Sequence, residues 1–362
     1  MNMNHIFPYF SRFTQVFHKV IPPLPPGPRG LPIIGYLPFL GTEHHRKFEE
    51  LAGVYGPIYK VWLGQKLCVV VNSPSLVKEV VRDQDTIFCN RDPPIAALAA
   101  TFGGADIAFS SYGPNWRKLH KIFVREMPIK EIFQWSENIL DTAIEKRMNS
   151  NEGKEDGTGK FEQKDFLQFL LELKEKNDTA TSISMTQVKA LLLDIMVGGS
   201  ETTATMVEWV MAELMQHLEA MRKVNEELTE IVGSDSLVEE SHLPKLHYLD
   251  VVIKETCRLH PALPFLVPRC PSQSSTIGGY YVPKGTRILL NVWAIHKDPK
   301  IWENPLEFQP ERFLNNPSKF DFSGNDFKYI PFGSGRRICA GIPLAERTLT
   351  YTIASFLHSI EF

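Results

Sequence analysis

The chain has 362 residues, 43% hydrophobic, 22% charged and 11% aromatic. That is a globular composition, and it excludes disordered, collagen-like and disulfide-scaffold classes. Lys and Arg total 39 against 42 Asp and Glu, a formal charge of -3, so the basic excess that drives non-specific nucleic-acid binding is missing and nucleic acid is not an expected partner.

Met1 to Val20 interleaves Phe7, Tyr9, Phe10, Phe13 and Phe17 with Arg12, His18 and Lys19. It is too polar for a signal-peptide core and too short for a span, which needs about 18 uninterrupted apolar residues. It reads as a segment in weak peripheral contact with a membrane, or as a frayed terminus. Residues 21–34 follow as a proline-rich hinge, with six prolines between Ile21 and Pro32; their fixed φ and missing N–H groups forbid helix and favour a stiff extended spacer. Residues 35–362 are expected to form a single domain.

A helix is predicted near Glu43 to Tyr55. A hairpin follows, with strands Ile58 to Leu63 and Leu67 to Val71 around the turn Gly64-Gln65-Lys66. Leu76 to Val81 and Phe161 to Leu173 carry a helical pattern, and the charged, Gly-bearing run Asn149 to Lys160 reads as a solvated loop. Ser184 to Gln187 has the spacing of a capping box and opens the longest helical pattern of the chain, from Met185 towards Val232. Two glycines, Gly198 and Gly199, interrupt it at about 1 kcal/mol each against Ala, and a Gly-Ser pair is where a kink is expected. Further strands are predicted over Gly278 to Val282 and Thr286 to Val292. The expected fold is mainly α with a small sheet built from distant segments.

The five cysteines, Cys68, Cys89, Cys257, Cys270 and Cys339, show no C-x-x-C spacing, which fits neither a disulfide frame nor a zinc ribbon and suits a reducing compartment. Cys339 stands apart. It directly precedes an amphipathic helix from about Ile342 to His358, where unpaired N–H groups and the helix dipole favour a thiolate. Gly335 and Gly341 remove side chains where the backbone turns or where a flat group comes close, and Arg336 and Arg337 add positive charge. A thiolate so placed calls for a metal, an electrophile or a redox relay.

The pattern F-x-x-G-x-R-x-C-x-G, met by Phe332, Gly335, Arg337, Cys339 and Gly341, resembles the haem-binding loop of the cytochrome P-450 superfamily of haem-thiolate monooxygenases. Three further segments fit in order. Glu255 and Arg258, with Arg312 downstream, resemble the family's buried Glu–Arg–Arg cluster. Gly198 to Thr203 resembles the oxygen-activation motif, in which Glu201 and Thr202 would manage proton delivery. Propionate partners by resemblance are Trp116 through its indole N–H, Arg337, Arg269 and Arg91. His120 stands where the family pattern W-x-x-x-R has arginine, so weaker anchorage of one propionate is expected. The proline segment, Tyr112 to Trp116 and Gly278 to Gly285 resemble the plant microsomal branch.

The resemblance implies a P-450 fold, haem b (iron protoporphyrin IX) with Cys339 as its iron ligand, dioxygen and a small apolar organic substrate such as a terpenoid or phenolic. It also implies electrons from an NADPH-dependent flavoprotein reductase docking near Arg336 and Arg337, and a place on the cytoplasmic face of the endoplasmic reticulum membrane, or in the cytoplasm if no anchor forms. The thiolate would push electron density towards O–O cleavage.

Against the family the chain reads as incomplete. The stretch between Trp116 and Glu201 is too short for the helices that roof the substrate pocket, with a jump expected around Arg125 to Pro128, and the family's C-terminal hairpin lies beyond Phe362. Leu218 replaces a proline that usually separates two helices, so those helices are expected to run on. Two rival readings remain open: a haem-thiolate enzyme that rearranges peroxides without a reductase, against which Glu201-Thr202 argues, and a non-catalytic truncated haem-binding fragment.

Overall fold

The structure is a computed structural model that describes residues 21–126, 166–175, 182–234, 236–314 and 320–359. The terminal segment 1–20, the loop 149–160 and the junction after Glu126 lie outside the described residues.

Alternating apolar side chains build the sheet. Strands β1 (Ile58–Leu63) and β2 (Lys66–Val71) pair antiparallel, and β5 (Arg287–Leu290) joins β2 in parallel, Val69 opposite Ile288. Period-two alternation gives both faces a core. Ile58, Val69, Val71, Ile288 and Leu290 pack on one side with Val77, Val80 and Phe88. On the other side, Tyr59, Val61, Val70 and Leu289 pack with Phe48 and Leu51 of α1 (His44–Tyr55). The proline segment lies along this sheet: Pro26 O accepts the Lys60 N–H, Pro25 O accepts Lys60 Nζ, and Pro23 O accepts the Tyr281 N–H.

The rest is helical: α2 (Pro74–Lys78), α3 (Pro114–Glu126), α4 (Phe166–Glu175), α5 (Met185–Gln216), α6 (Leu218–Val232), α7 (His247–Leu259) and α8 (Ile342–Ser359). Two cores meet along α5. Its C-terminal half, through Met206, Val210 and Leu214, packs with Val224 and Leu228 of α6, Leu249 and Val252 of α7 and Leu349 and Ile353 of α8. Its N-terminal half, through Val188 and Leu191, packs with Leu119 and Phe123 of α3 and Leu170 and Leu173 of α4. At roughly 1.5–3 kcal/mol for each fully buried large apolar side chain, α5 ties the molecule together.

The sequence reading is corrected in three places. The long helix does not run to Val232: it stops at His217 (φ −120°, ψ 73°), and α6 starts at Leu218. No proline is needed there. The His217 ring bonds Glu213 O at 2.8 Å while the Glu213 carboxylate holds His260 at 2.6 Å, so side chains take over where the helix ladder ends. The expected kink is not a break, since α5 is continuous through Gly198 and Gly199. The strand expected over Gly278 to Val282 is a hairpin of β3 (Ser275–Ile277) and β4 (Tyr280–Val282), because Gly278 and Gly279 take φ of 56° and 80°. Thr286 to Val292 shortens to β5, and the Asn291 side chain accepts the Ala294 N–H to start a helical turn at Val292. The capping box forms: Ser184 Oγ accepts the Gln187 N–H and Gln187 Oε1 accepts the Ser184 N–H.

Candidate haem site

The loop before α8 is folded by its own backbone. The Cys339 N–H donates to Phe332 O at 2.9 Å, which closes residues 332–339 into a tight excursion. Gly335 sits at φ 69°, and a Cβ there would run into the carbonyl oxygen of Val81; only glycine fits the turn against its neighbour. Phe332 packs edge-on against Phe322 at 4.9 Å between ring centroids. Asp85 grips the loop from the sheet side, accepting the Arg336 N–H and Arg336 Nη1 at 3.0 Å and Arg269 Nη1 at 3.2 Å.

Cys339 is solvent-accessible, yet protein crowds it enough that burial pushes its thiol above the ordinary value, with the Gly341 N–H pulling the other way. Both observations describe a sulfur on the wall of a cleft. A Cβ at Gly341 would stand 3.9 Å from that sulfur.

Ala340 and Leu344 share a cluster with Ile195 of α5, so the Cys339 loop abuts the middle of that helix. The next turn presents Met196 and Val197, which are 67% and 59% exposed. A Cβ at Gly198 or Gly199 would meet nothing within 4 Å. Exposed apolar side chains and open glycines in the middle of a domain-spanning helix mark a stretch that the described core does not cover. Thr202 Oγ1 donates to Gly198 O at 2.6 Å, the back-bond to the preceding turn that a helical threonine favours, while Glu201 beside it is exposed.

The cations expected around the propionates do converge, but they are already partnered. Arg337 is 8% exposed and donates to Cys89 O at 2.7 Å, Ile107 O at 3.0 Å and Ser110 O at 2.6 Å. Arg91 donates to Ala108 O at 3.0 Å, Val267 O at 2.6 Å and Pro268 O at 3.0 Å. Arg269 bonds Asp85 and Ser334 O. A guanidinium carries five N–H donors, so each keeps capacity. Trp116 does not: its single N–H goes to Ile107 O at 3.0 Å, so here it fixes the chain at residue 107 and offers no free donor. His120 stacks on Trp116 at 4.7 Å, its Nε2 is buried with no partner, and burial and Arg337 lower its pKa. The burial of Arg337 also corrects the expected docking loop, since of the Arg336–Arg337 pair only Arg336 reaches the surface.

Farther back, Glu255 and Arg258 are fully buried and joined by two 2.8 Å bonds, and Arg312 Nε reaches Glu255 Oε1 at 3.1 Å. Arg258 also donates to His296 O, Pro305 O and Glu307 O. Sequence reasoning missed three residues here, Asp85, Asp106 and Asp194. Asp194 had a readable signal, a lone acid in the apolar run Leu191 to Val197.

A haem group fits these residues on observations of the chain itself: an accessible sulfur beside a glycine, an open apolar helix face next to it, and an orphaned buried donor at His120. Among the described residues no group of three or more His, Cys, Asp or Glu side chains could hold a metal ion. No helix of the described residues is long and apolar enough to cross a membrane.

The Cytochrome P450 family model matches residues 25–134 and 126–362. The chain is 32% identical over 461 aligned residues to a flavonoid 3'-monooxygenase of Petunia hybrida, covering 99% of this chain and 90% of that protein. It is 31% identical over 440 residues to sugiol synthase of Salvia miltiorrhiza, covering 94% and 88%. A zebrafish cytochrome P450 solved with progesterone superposes with a TM-score of 0.73 at 27% identity, covering 89% of this chain and 93% of that one. The plant alignments are longer than the 362 residues of this chain, so those relatives hold internal stretches without a counterpart here, and the two matched stretches of the family model meet at the junction expected near Arg125. With all five fixed loop positions present and the family model matching most of this chain, the chain belongs to the cytochrome P450 family, haem-dependent monooxygenases that use dioxygen, a redox partner and an apolar organic substrate.

Proposed function

We propose that this chain, through residues 35–362 as one domain, inserts one oxygen atom into a small apolar plant metabolite of phenolic or terpenoid type, with electrons from an NADPH-dependent flavoprotein reductase. Supporting the substrate class are the names of the plant relatives, which include flavonoid hydroxylases and a diterpenoid-forming enzyme. The plant microsomal resemblance supports a place at the cytoplasmic face of the endoplasmic reticulum membrane.

Bound haem b would supply the redox chemistry at its iron. The rest is the work of the chain. Cys339 would offer its sulfur as the iron ligand, on a loop held rigid by the Phe332 and Asp85 bonds. Arg337, Arg269 and Arg91 would present their remaining N–H donors to the propionates, with His120 Nε2 taking the position that arginine fills elsewhere in the family and Trp116 walling that side. Phe332, Gly335 and Gly341 shape the loop for close approach. On α5, the uncovered stretch at Met196 to Gly199 would leave room for the haem and the substrate beside the helix. The Thr202 hydroxyl, held by Gly198 O, and the exposed Glu201 would move protons from solvent inward. The observation that carries this reading is the accessible Cys339 on a loop whose next residue, Ala340, packs in the same cluster as Ile195 of α5.

The test is reconstitution with haem, followed by the carbon monoxide spectrum of the reduced protein and turnover with plant reductase on flavonoid and diterpenoid substrates. The red-shifted Soret band of a thiolate-ligated haem and an oxygenated product are expected; a protein that binds no porphyrin overturns the reading.

A further inference from the structure

Two adjoining peptide groups, one on each side of Ile107, join three elements of this site. Residues 106–110 form a short strap between the sheet side and α3. The Ile107 N–H donates to Asp194 Oδ2 on α5 at 2.7 Å, and the Ile107 carbonyl accepts from Trp116 Nε1 on α3 and from Arg337 Nη1 of the Cys339 loop, both at 3.0 Å. The neighbouring carbonyls continue the pattern, with Ala108 O on Arg91 and Ser110 O on Arg337. The strap therefore turns the N–H of the Asp106–Ile107 peptide towards the acid of α5 and the carbonyls that follow it towards the cations.

Nothing local explains an acid at position 194. Asp is a poor residue inside a helix, and its neighbours Leu191, Leu192 and Ile195 sit in an apolar cluster. Burial holds the Asp194 carboxyl well above the usual range, and the nearby Asp106 adds to that. Asp106 is itself fully buried, with one oxygen accepting the Phe109 N–H and the other unpartnered. A costly acid kept in contact with one backbone N–H is there to place that peptide.

We propose that Asp194 is a positioning residue of the haem site: its carboxylate holds the Ile107 N–H, which fixes the Ile107 backbone, and the Ile107 carbonyl, in the next peptide, aims the Arg337 guanidinium and the Trp116 ring at the porphyrin edge. The inference rests on the haem reading above. It predicts that the acceptor oxygen at 194 matters more than its charge, because Asn keeps an oxygen for the Ile107 N–H and Leu does not.

The experiment follows haem transfer from the full-length holoprotein to excess apomyoglobin, for wild type, Asp194→Asn, Asp194→Leu, Trp116→Phe and the Leu/Phe double variant. Losing a hydrogen bond to a charged group predicts haem loss about tenfold faster in Asp194→Leu, rescue to within about twofold in Asp194→Asn, and a double variant no worse than the poorer single, since both act through one residue, Ile107. Wild-type rates in Asp194→Leu, failure of Asn to rescue, or multiplying effects in the double variant overturn the proposal. Should Asp194→Leu fail to fold, hydrogen exchange on the wild-type holoprotein decides. Protection of the Ile107 amide equal to that of the α5 core supports the bond, and exchange at the rate of a free loop overturns it. A wild-type chain that takes up no haem fails the underlying reading; one that holds haem while Asp194→Leu behaves as wild type fails the inference alone.

Discussion

The Glu255 cluster and the Asp194 strap are both buried polar assemblies beside the Cys339 loop, and they are built to opposite ends. In the first, the charges close on one another. Arg258 meets Glu255 through two bonds and three backbone carbonyls take its other donors, and the Trp302 ring lies 5.3 Å from its guanidinium carbon. In the second, Asp106 Oδ1, Ser110 Oγ and His120 Nε2 are buried without partners, and Met196 and Val197 stand open beside them. Each assembly leaves buried atoms unpaired, Trp302 Nε1 and His296 Nδ1 at the first among them; what separates the two is that the first closes its charges in ion pairs, which fixes a fold, while the cations of the second keep donors for a group the chain does not encode.

That contrast can be broken or sharpened by substitution. The largest effect is expected at Cys339→Ala, which should abolish the thiolate-type carbon monoxide spectrum outright while leaving far-UV circular dichroism intact; retention of the band would remove the sulfur from the site. Glu255→Ala leaves Arg258 buried and uncompensated and should lower stability by about 3–5 kcal/mol in urea melts, an effect on the fold that Cys339→Ala should not share.

On the strap side the expected signature is a pH dependence. Burial raises the Asp194 carboxyl to about 7 against 3.8 for a free aspartate, so the folded state holds that proton more tightly than the unfolded one. The contribution is therefore largest below about pH 4, falls as pH rises to about 7, and amounts to roughly 4 kcal/mol at most. Asp194→Asn should remove this slope, seen as a wild-type-minus-variant difference in melts at pH 5 and pH 8; identical slopes would show the acid to be solvated. The smallest effect is expected at the start of α5, where Ser184→Ala should remove the cap for about 1 kcal/mol without changing haem uptake.

Where the chain was legible, the signal was local. The capping box, the β1–β2 hairpin and the start of α8 were readable because cap, turn and hydrophobic period lie within a few residues of one another. The loop motif placed Phe332, Gly335, Arg337, Cys339 and Gly341 for the same reason. What was misread depended on contacts from afar. The break at His217 is fixed by Glu213 and by His260, which lies in the chain segment after α7.

The sequence by itself determined the mainly helical class, the small sheet from distant strands, the identity of the loop cysteine and the residues around it, since each is written in residue type and short-range spacing. Only the tertiary structure decided how the donors are used: that Trp116 gives its N–H to Ile107, that Arg337 is buried rather than offered to a partner, that His120 keeps a free ring nitrogen, and that an aspartate on α5 reaches a peptide 87 residues earlier in the chain. Hydrogen bonds between distant segments depend on where packing brings them, and a linear pattern carries no record of that distance.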